Sequence, residues 1–316
     1  MKKIMKTVFG SHLYGLSNPN SDTDFKGIYL PELSELLLGT YKKRINLDTN
    51  KDGKNSANDV DMEWIALPEF IRLAVKGESE ALDMLHSNKV QNDLEYSYIW
   101  DNLVSKRSLF YTKGLKAYMG MLKGQVAKNG DKGKKLKVYR NLITMLNCYE
   151  TDDRLSNIWN VLPTGKYIRK DFDEDRNIRI WEVLGSKYHE TIKVGYCIEQ
   201  LQKKYDGYGF RAKKAEAAGG LDWKAISHAL RVGYQLADIY ECGSFEYPLR
   251  QTDYLLAVKA GELDYKTVVA PELERLSEEV QALSDESKLP ERVDKDFWDD
   301  WLLKQYNSEF ILGERW

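Results

Sequence analysis

Apolar and polar positions follow two different rhythms along the chain. In the first 95 residues, short apolar runs are separated by turn clusters. Residues 3–9 read as a strand that stops at Gly10, and Ser11 to Gly15 is short enough for one helical turn. Ser17-Asn18-Pro19-Asn20-Ser21 is a turn cluster, after which Asp22 to Leu30 reads as a second strand. Pro31 opens a short helix that runs through Leu38. Residues 46–58 are polar and turn-rich, which predicts a flexible loop. Their acids and amides have the flavour of a calcium loop, but the closing bidentate Glu is missing. Asp59 to Ile65 then alternates strictly between acidic and apolar residues, a period-two strand with one charged face, as a solvated edge strand also has. From Pro68 the spacing turns helical, with Leu67, Phe70, Ile71, Ala74 and Val75 on one stripe, and Ala81 to Leu85 starts another helix.

Beyond residue 95, strand signals fade and 3.6-residue periodicity dominates. Helices are expected over Leu109–Leu122, Leu136–Cys148, Tyr188–Tyr205 and Trp223–Cys242, then Tyr254–Ala260, Pro271–Ser284 and Asp296–Tyr306. Strands first and helices later predict an α+β chain: a small module over 1–95 and a mainly helical domain over 96–316.

Charge changes this picture in two places. The net charge is only −2, yet residues 101–150 carry eleven Lys/Arg against three Asp/Glu, a local balance of +8. Residues 271–316 carry six Lys/Arg against thirteen Asp/Glu, a balance of −7. Such asymmetry marks either a side facing a polyanion or ordinary solvated helix faces. The three cysteines (Cys148, Cys197 and Cys242) show no metal-ligand spacing and fit a reducing, cytoplasmic setting. No apolar run approaches the length of a membrane span, so no membrane partner is expected.

The candidate chemistry lies at the ends of the first two strands. Asp22 and Asp24, two apart in extended chain, point to the same face, and such close carboxylates repel unless a cation sits between them. A hard divalent ion, Mg²⁺ or Mn²⁺, suits an all-oxygen site that also meets phosphates. An acid from the Asp59–Ile65 strand could join them and complete a two-ion site for in-line phosphoryl displacement. Gly10 lets backbone approach a phosphate, and Ser11 offers an N–H and a hydroxyl.

Gly10-Ser11, ten residues, then Asp22-Thr23-Asp24-Phe25 resembles the signature of the DNA polymerase beta-like nucleotidyltransferases, with Val60-Asp61-Met62 matching its third acidic element. Three stretches resemble the RNA-repair-associated branch of that superfamily: 10–15, 21–27 and 69–77. The stretch Trp223–Arg231 resembles it too. The resemblance implies a mixed-sheet nucleotidyltransferase module over 1–95, an NTP donor, and Mg²⁺ as cofactor. By it, Asp22, Asp24 and Asp61 are the metal ligands, and Gly10 and Ser11 bind the triphosphate. Glu63 shares a face with Asp61 and fits the same apolar-acid-apolar pattern. Thr23 stands where the signature prefers an apolar residue.

Other candidates keep two readings. Lys224, His228 and Arg231 fall on one face of the 223–242 helix, either as a cationic rail that binds triphosphate or acceptor phosphate, or as a solvated face with a satisfied histidine. The basic run Lys132–Arg140 and the loop Tyr208–Lys214 are nucleic-acid contacts or plain connectors. His12 is close enough to the Gly-Ser turn to touch substrate or to be structural, and Trp298, Trp301 and Trp316 are expected to anchor a closing helix. The whole predicts transfer of NMP from an NTP to a hydroxyl, on a tRNA-like RNA end by the resemblance and the +8 segment. The alternatives are transfer to a protein or small molecule, and a catalytically silent RNA-binding protein.

Overall fold

The strand ending at Gly10 is β1 (Lys2–Phe9) of a five-stranded sheet, completed by β2 (Thr23–Leu30), β3 (Arg44–Asp48), β4 (Val60–Ala66) and β5 (Val90–Gln91). The computed structural model describes residues 1–19, 21–48, 60–91, 94–209, 213 and 216–313. Across the sheet the order is β3-β4-β2-β1-β5. β2 runs parallel to β4, and the other pairings are antiparallel, so the sheet is mixed.

Register explains how this sheet divides its labour. Phe9 pairs with Asp24 on one side, and Asp24 pairs with Asp61 on the other. Lys26 pairs with Glu63, and Ile28 with Ile65. Because alternate residues share a face, one face of β2 and β4 reads acid, then ion pair, then apolar core. The burial of β2 follows suit: its first four residues are half-buried and Ile28 to Leu30 are buried.

Asn46 to Asp48 belong to β3 instead of a loop, because Ile45 and Leu47 gain cross-strand partners in Trp64 and Met62. With β3 on its outer side, β4 is an interior strand rather than a wet edge. Residues 49–59 lie outside the described residues.

Helices α1 (Gly10–Tyr14), α2 (Leu33–Leu37), α3 (Leu67–Val75), α4 (Ser79–Leu85) and α5 (Ser97–Val104) punctuate and follow the sheet. In α3, Pro68 occupies the first turn, where its missing N–H costs nothing, and Phe70, Ile71, Leu73 and Ala74 are buried. Two expected helices, Leu109–Leu122 and Leu136–Cys148, are largely one helix, α6 (Lys116–Leu146), preceded by two short 3-10 turns.

Contacts divide the chain into two compact units, residues 1–122 with 227–316, and residues 123–226. The first holds the five-stranded sheet, most of α8 (Trp223–Cys242), and α9 (Thr252–Ala260), α10 (Ala270–Glu286) and α11 (Lys295–Gly313). Trp298 and Trp301 are buried there, and Trp298 stacks on Phe110 at 3.9 Å. Trp316 lies outside the described residues.

The second unit holds a sheet that helical periodicity conceals: β6 (Ile168–Asp173), β7 (Ile178–Val183) and β8 (Ser186–His189), an antiparallel meander followed by α7 (Val194–Asp206). The expected helix Tyr188–Tyr205 is therefore strand at its start and helix only from Val194. Trp181, Val183 and Tyr188 pack with Tyr139, Leu142, Leu146, Cys197 and Leu201, so tertiary burial sets the strand. Among the described residues, no helix is long and apolar enough to cross a membrane.

Candidate active site

Three strand ends meet where the carboxylates lie. The Asn18–Ser21 turn closes with hydrogen bonds of 2.9 Å from Ser21 N–H to Asn18 O and from Asn18 N–H to the Ser21 hydroxyl, and it delivers Asp22 to the start of β2. Asp24 follows two residues later on the same face, and parallel pairing brings Asp61 alongside it. One oxygen from each of Asp22, Asp24 and Asp61 lies within 4.8 Å of the others, and all three residues are half-buried. Three carboxylates at this separation repel strongly. An all-oxygen donor set of this charge fits a hard divalent cation.

Gly10 follows the β1 residue that pairs with Asp24. Its φ of +61° is left-handed, and a Cβ there would overlap Asp24 Oδ2 and lie 3.1 Å from Asp24 Cγ. Only glycine meets both demands. A cavity of about 480 Å³ opens here, lined among others by Gly10, Asp24, Lys26, Asn46, Asp61 and Glu63.

The next tier of the same face is an ion-pair quartet. Lys26 pairs with Glu63 and Glu80, and Arg44 reaches Glu63 at 2.8 Å and Glu80 at 2.7 Å. Burial alone would raise the Glu80 carboxyl, but its bonds to Arg44 and Lys26 hold it below the usual range. The Glu80 hydrogen bond, ahead of Glu63, raises the Arg44 guanidinium. Glu63 is thus engaged by two cations one tier from the cluster, and Asp61 is the β4 acid that joins Asp22 and Asp24.

Arg231 is placed differently from its expected position on an exposed cationic face. It is 2% exposed, with its guanidinium held by Asp83 at 2.8 Å, Tyr247 at 3.1 Å and Gln235 at 3.3 Å. A buried charge persists only with such partners. His228 is half-buried and contacts Arg231 at 3.1 Å, while Lys224 is exposed. The guanidinium also sits 3.7 Å over the ring of Tyr14, whose hydroxyl donates to Asp83 at 2.7 Å. Burial favours the protonated Asp83 carboxyl, but the Arg231 charge and the bonds from Arg231, Tyr247 and Tyr14 outweigh it and hold it low. Burial, above all, raises the Tyr14 and Tyr247 hydroxyls.

This clamp fixes the last residue of α1, hence the turn that carries Gly10 and Ser11. Sequence reasoning passes over Asp83, although an acid inside the apolar run Ala81–Leu85 is a signal for a buried partner. His12 Nε2 is shut from solvent with no hydrogen-bond partner among the described residues. The Tyr208–Lys214 loop lies mostly outside the described residues.

The mixed sheet and its three carboxylates beside a glycine-serine turn agree with the DNA polymerase beta-like class that the sequence motifs resemble. Within it, the chain belongs to the RNA repair pathway DNA polymerase beta family, which it matches over residues 2–149. It is also 37% identical, over 330 aligned positions covering 97% of each chain, to the "Uncharacterized 38.9 kDa protein in nrdC-mobD intergenic region" of Enterobacteria phage T4. No solved structure matches it. Family membership points to a nucleotidyltransferase-like enzyme associated with RNA repair.

Proposed function

We propose that the protein is a metal-dependent nucleotidyltransferase that moves an NMP from an NTP to a hydroxyl on an RNA end. The observation that carries this reading is the convergence of Asp22, Asp24 and Asp61 within 4.8 Å. These three would hold Mg²⁺ or Mn²⁺, which when bound neutralises the phosphates and favours ionisation of the attacking hydroxyl. Gly10 leaves backbone open for the triphosphate, and the Ser11 N–H and hydroxyl donate to it. The Lys26–Glu63–Arg44–Glu80 quartet neutralises the tier next to the carboxylates, so that the Asp22–Asp24–Asp61 cluster is the local anionic site.

Residues 1–95 form the catalytic module in this reading, buttressed by the helices that share its unit. His228 is offered as a phosphate contact, and Arg231 as a positioning residue acting through Tyr14. The three thiols are free, in keeping with a cytoplasmic enzyme.

The test is incubation with α-labelled NTPs, Mg²⁺ or Mn²⁺, and a panel of RNA, protein and small-molecule acceptors. Label on RNA that disappears in the Asp22→Asn/Asp24→Asn variant is the expected result. Label on protein or small molecule refutes the RNA acceptor, and transfer that survives the double substitution refutes the site.

A further inference from the structure

We propose that the second unit carries a groove for a single-stranded segment of the acceptor RNA, a proposal that rests on the RNA-acceptor reading above. A cavity of about 510 Å³ lies wholly within residues 123–226. Lys135 and Tyr139 reach it from α6, Lys166 and Tyr167 from the approach to β6, Arg169 from β6 itself, and Tyr208 from beyond α7. Three cations face one acid, Glu182, which Arg169 holds at 2.7 Å and 3.1 Å, leaving a lining balance of +2.

Three tyrosines line the same cavity. Tyr139 and Tyr208 have ring centroids 6.2 Å apart with their planes tilted by 57°, Tyr139 buried and Tyr208 half-buried. Tyr167 is half-buried with Lys166 Nζ 5.1 Å over its ring. The wall is rigid for a reason visible in the backbone. The two-residue β7–β8 turn holds Leu184 at φ +51° and Gly185 at φ +82°, the twist-matched hairpin geometry, though one that a branched side chain rarely adopts. Leu184 packs on the unit's core, and its N–H donates to Tyr167 O at 2.8 Å, which pins the tyrosine.

Cations beside the half-buried rings of Tyr167 and Tyr208 suit a phosphate backbone with unpaired bases. An acidic peptide would use the cations and leave the rings idle, and duplex RNA hides the base faces that the rings would meet. Of the densest basic run in the sequence, Lys135 reaches the cavity beside Tyr139, while Lys134 and Lys137 are exposed.

The test measures binding of the full chain, without NTP, to a labelled unstructured RNA, to its duplex form and to an acidic peptide, over a salt series. Wild type should bind the single strand best. Tyr208→Leu and Tyr167→Leu should each weaken binding by about tenfold, and Lys166→Ala should lower the log-log salt slope by about 0.7. If the tyrosine variants do not fold, the exposed Lys166 variant still decides. Wild type that binds no RNA overturns the RNA-acceptor reading and the groove with it. RNA binding that is unchanged in every folded variant overturns the groove alone, as does duplex or peptide bound as tightly as single strand.

Discussion

Gly10 and Asp24 are so close that no side chain fits between them. A Cβ on Gly10 would overlap Asp24 Oδ2, and the φ of +61° would strain it further. The turn therefore couples the Gly10 backbone, proposed to face the triphosphate, to one wall of the carboxylate cluster. Gly10→Ala should cost ~1–2 kcal/mol of stability from the left-handed backbone. It should cost transfer far more, at least 100-fold, because Asp24 must move. Urea melts separate the two effects from transfer assays, and near-wild-type transfer by the alanine variant would falsify this coupling.

Asp61 and Glu63 share a face of β4 but have different company. Asp61 sits with Asp22 and Asp24, whereas Glu63 is paired with Lys26 and Arg44. Asp61→Asn should abolish transfer and weaken Mn²⁺ binding measured by calorimetry. Glu63→Gln should leave Mn²⁺ affinity within a few-fold and lower stability by ~1–3 kcal/mol, as expected for a part-buried ion pair losing one partner. Reversed behaviour of the two variants would exchange their roles.

The difference between these neighbours shows what was legible in the chain. Asp22, Asp24 and the Asp59–Ile65 alternation were readable because strand period two is a local property, and Gly10-Ser11 lies within the same short stretch. Glu63 stayed a rival until register placed Lys26 beside it, since pairing across strands has no local signature. Arg231 and Asp83 are 148 residues apart, so helical spacing alone showed a cationic face where the fold has a buried pair. The strands at 168–189 were hidden for a related reason: their apolar residues face a core assembled from α6 and α7.

That buried pair makes its own prediction. Asp83 accepts from Arg231, Tyr14, Tyr247 and Gln235, so removing its charge strands a guanidinium in the core. Asp83→Ala and Arg231→Ala should each lose ~3–5 kcal/mol. The double variant Asp83→Leu/Arg231→Met should recover much of this while still transferring poorly, because Tyr14 no longer anchors α1. A strictly additive double variant in chemical denaturation would show that the two do not act as a pair.

His86 should make the fold acid-sensitive. It is 5% exposed, stacked 3.8 Å from Phe245, with Nδ1–H donating to Leu82 O at 2.8 Å and Nε2 accepting from the Tyr111 hydroxyl at 2.9 Å. Burial first, and then nearby Arg107, lowers its pKa to about 4. The unfolded chain takes up the proton near pH 6.5 while the folded chain refuses it until about pH 4. Stability is therefore full above pH 6.5 and falls between these values, by about 3 kcal/mol in all. The depressed Asp83 carboxyl adds a further loss at still lower pH, in the same direction. Urea midpoints taken from pH 7.5 to 4 should show this decline, and His86→Gln should flatten it even if its overall stability is lower. An unchanged slope in that variant would assign the acid sensitivity to other groups.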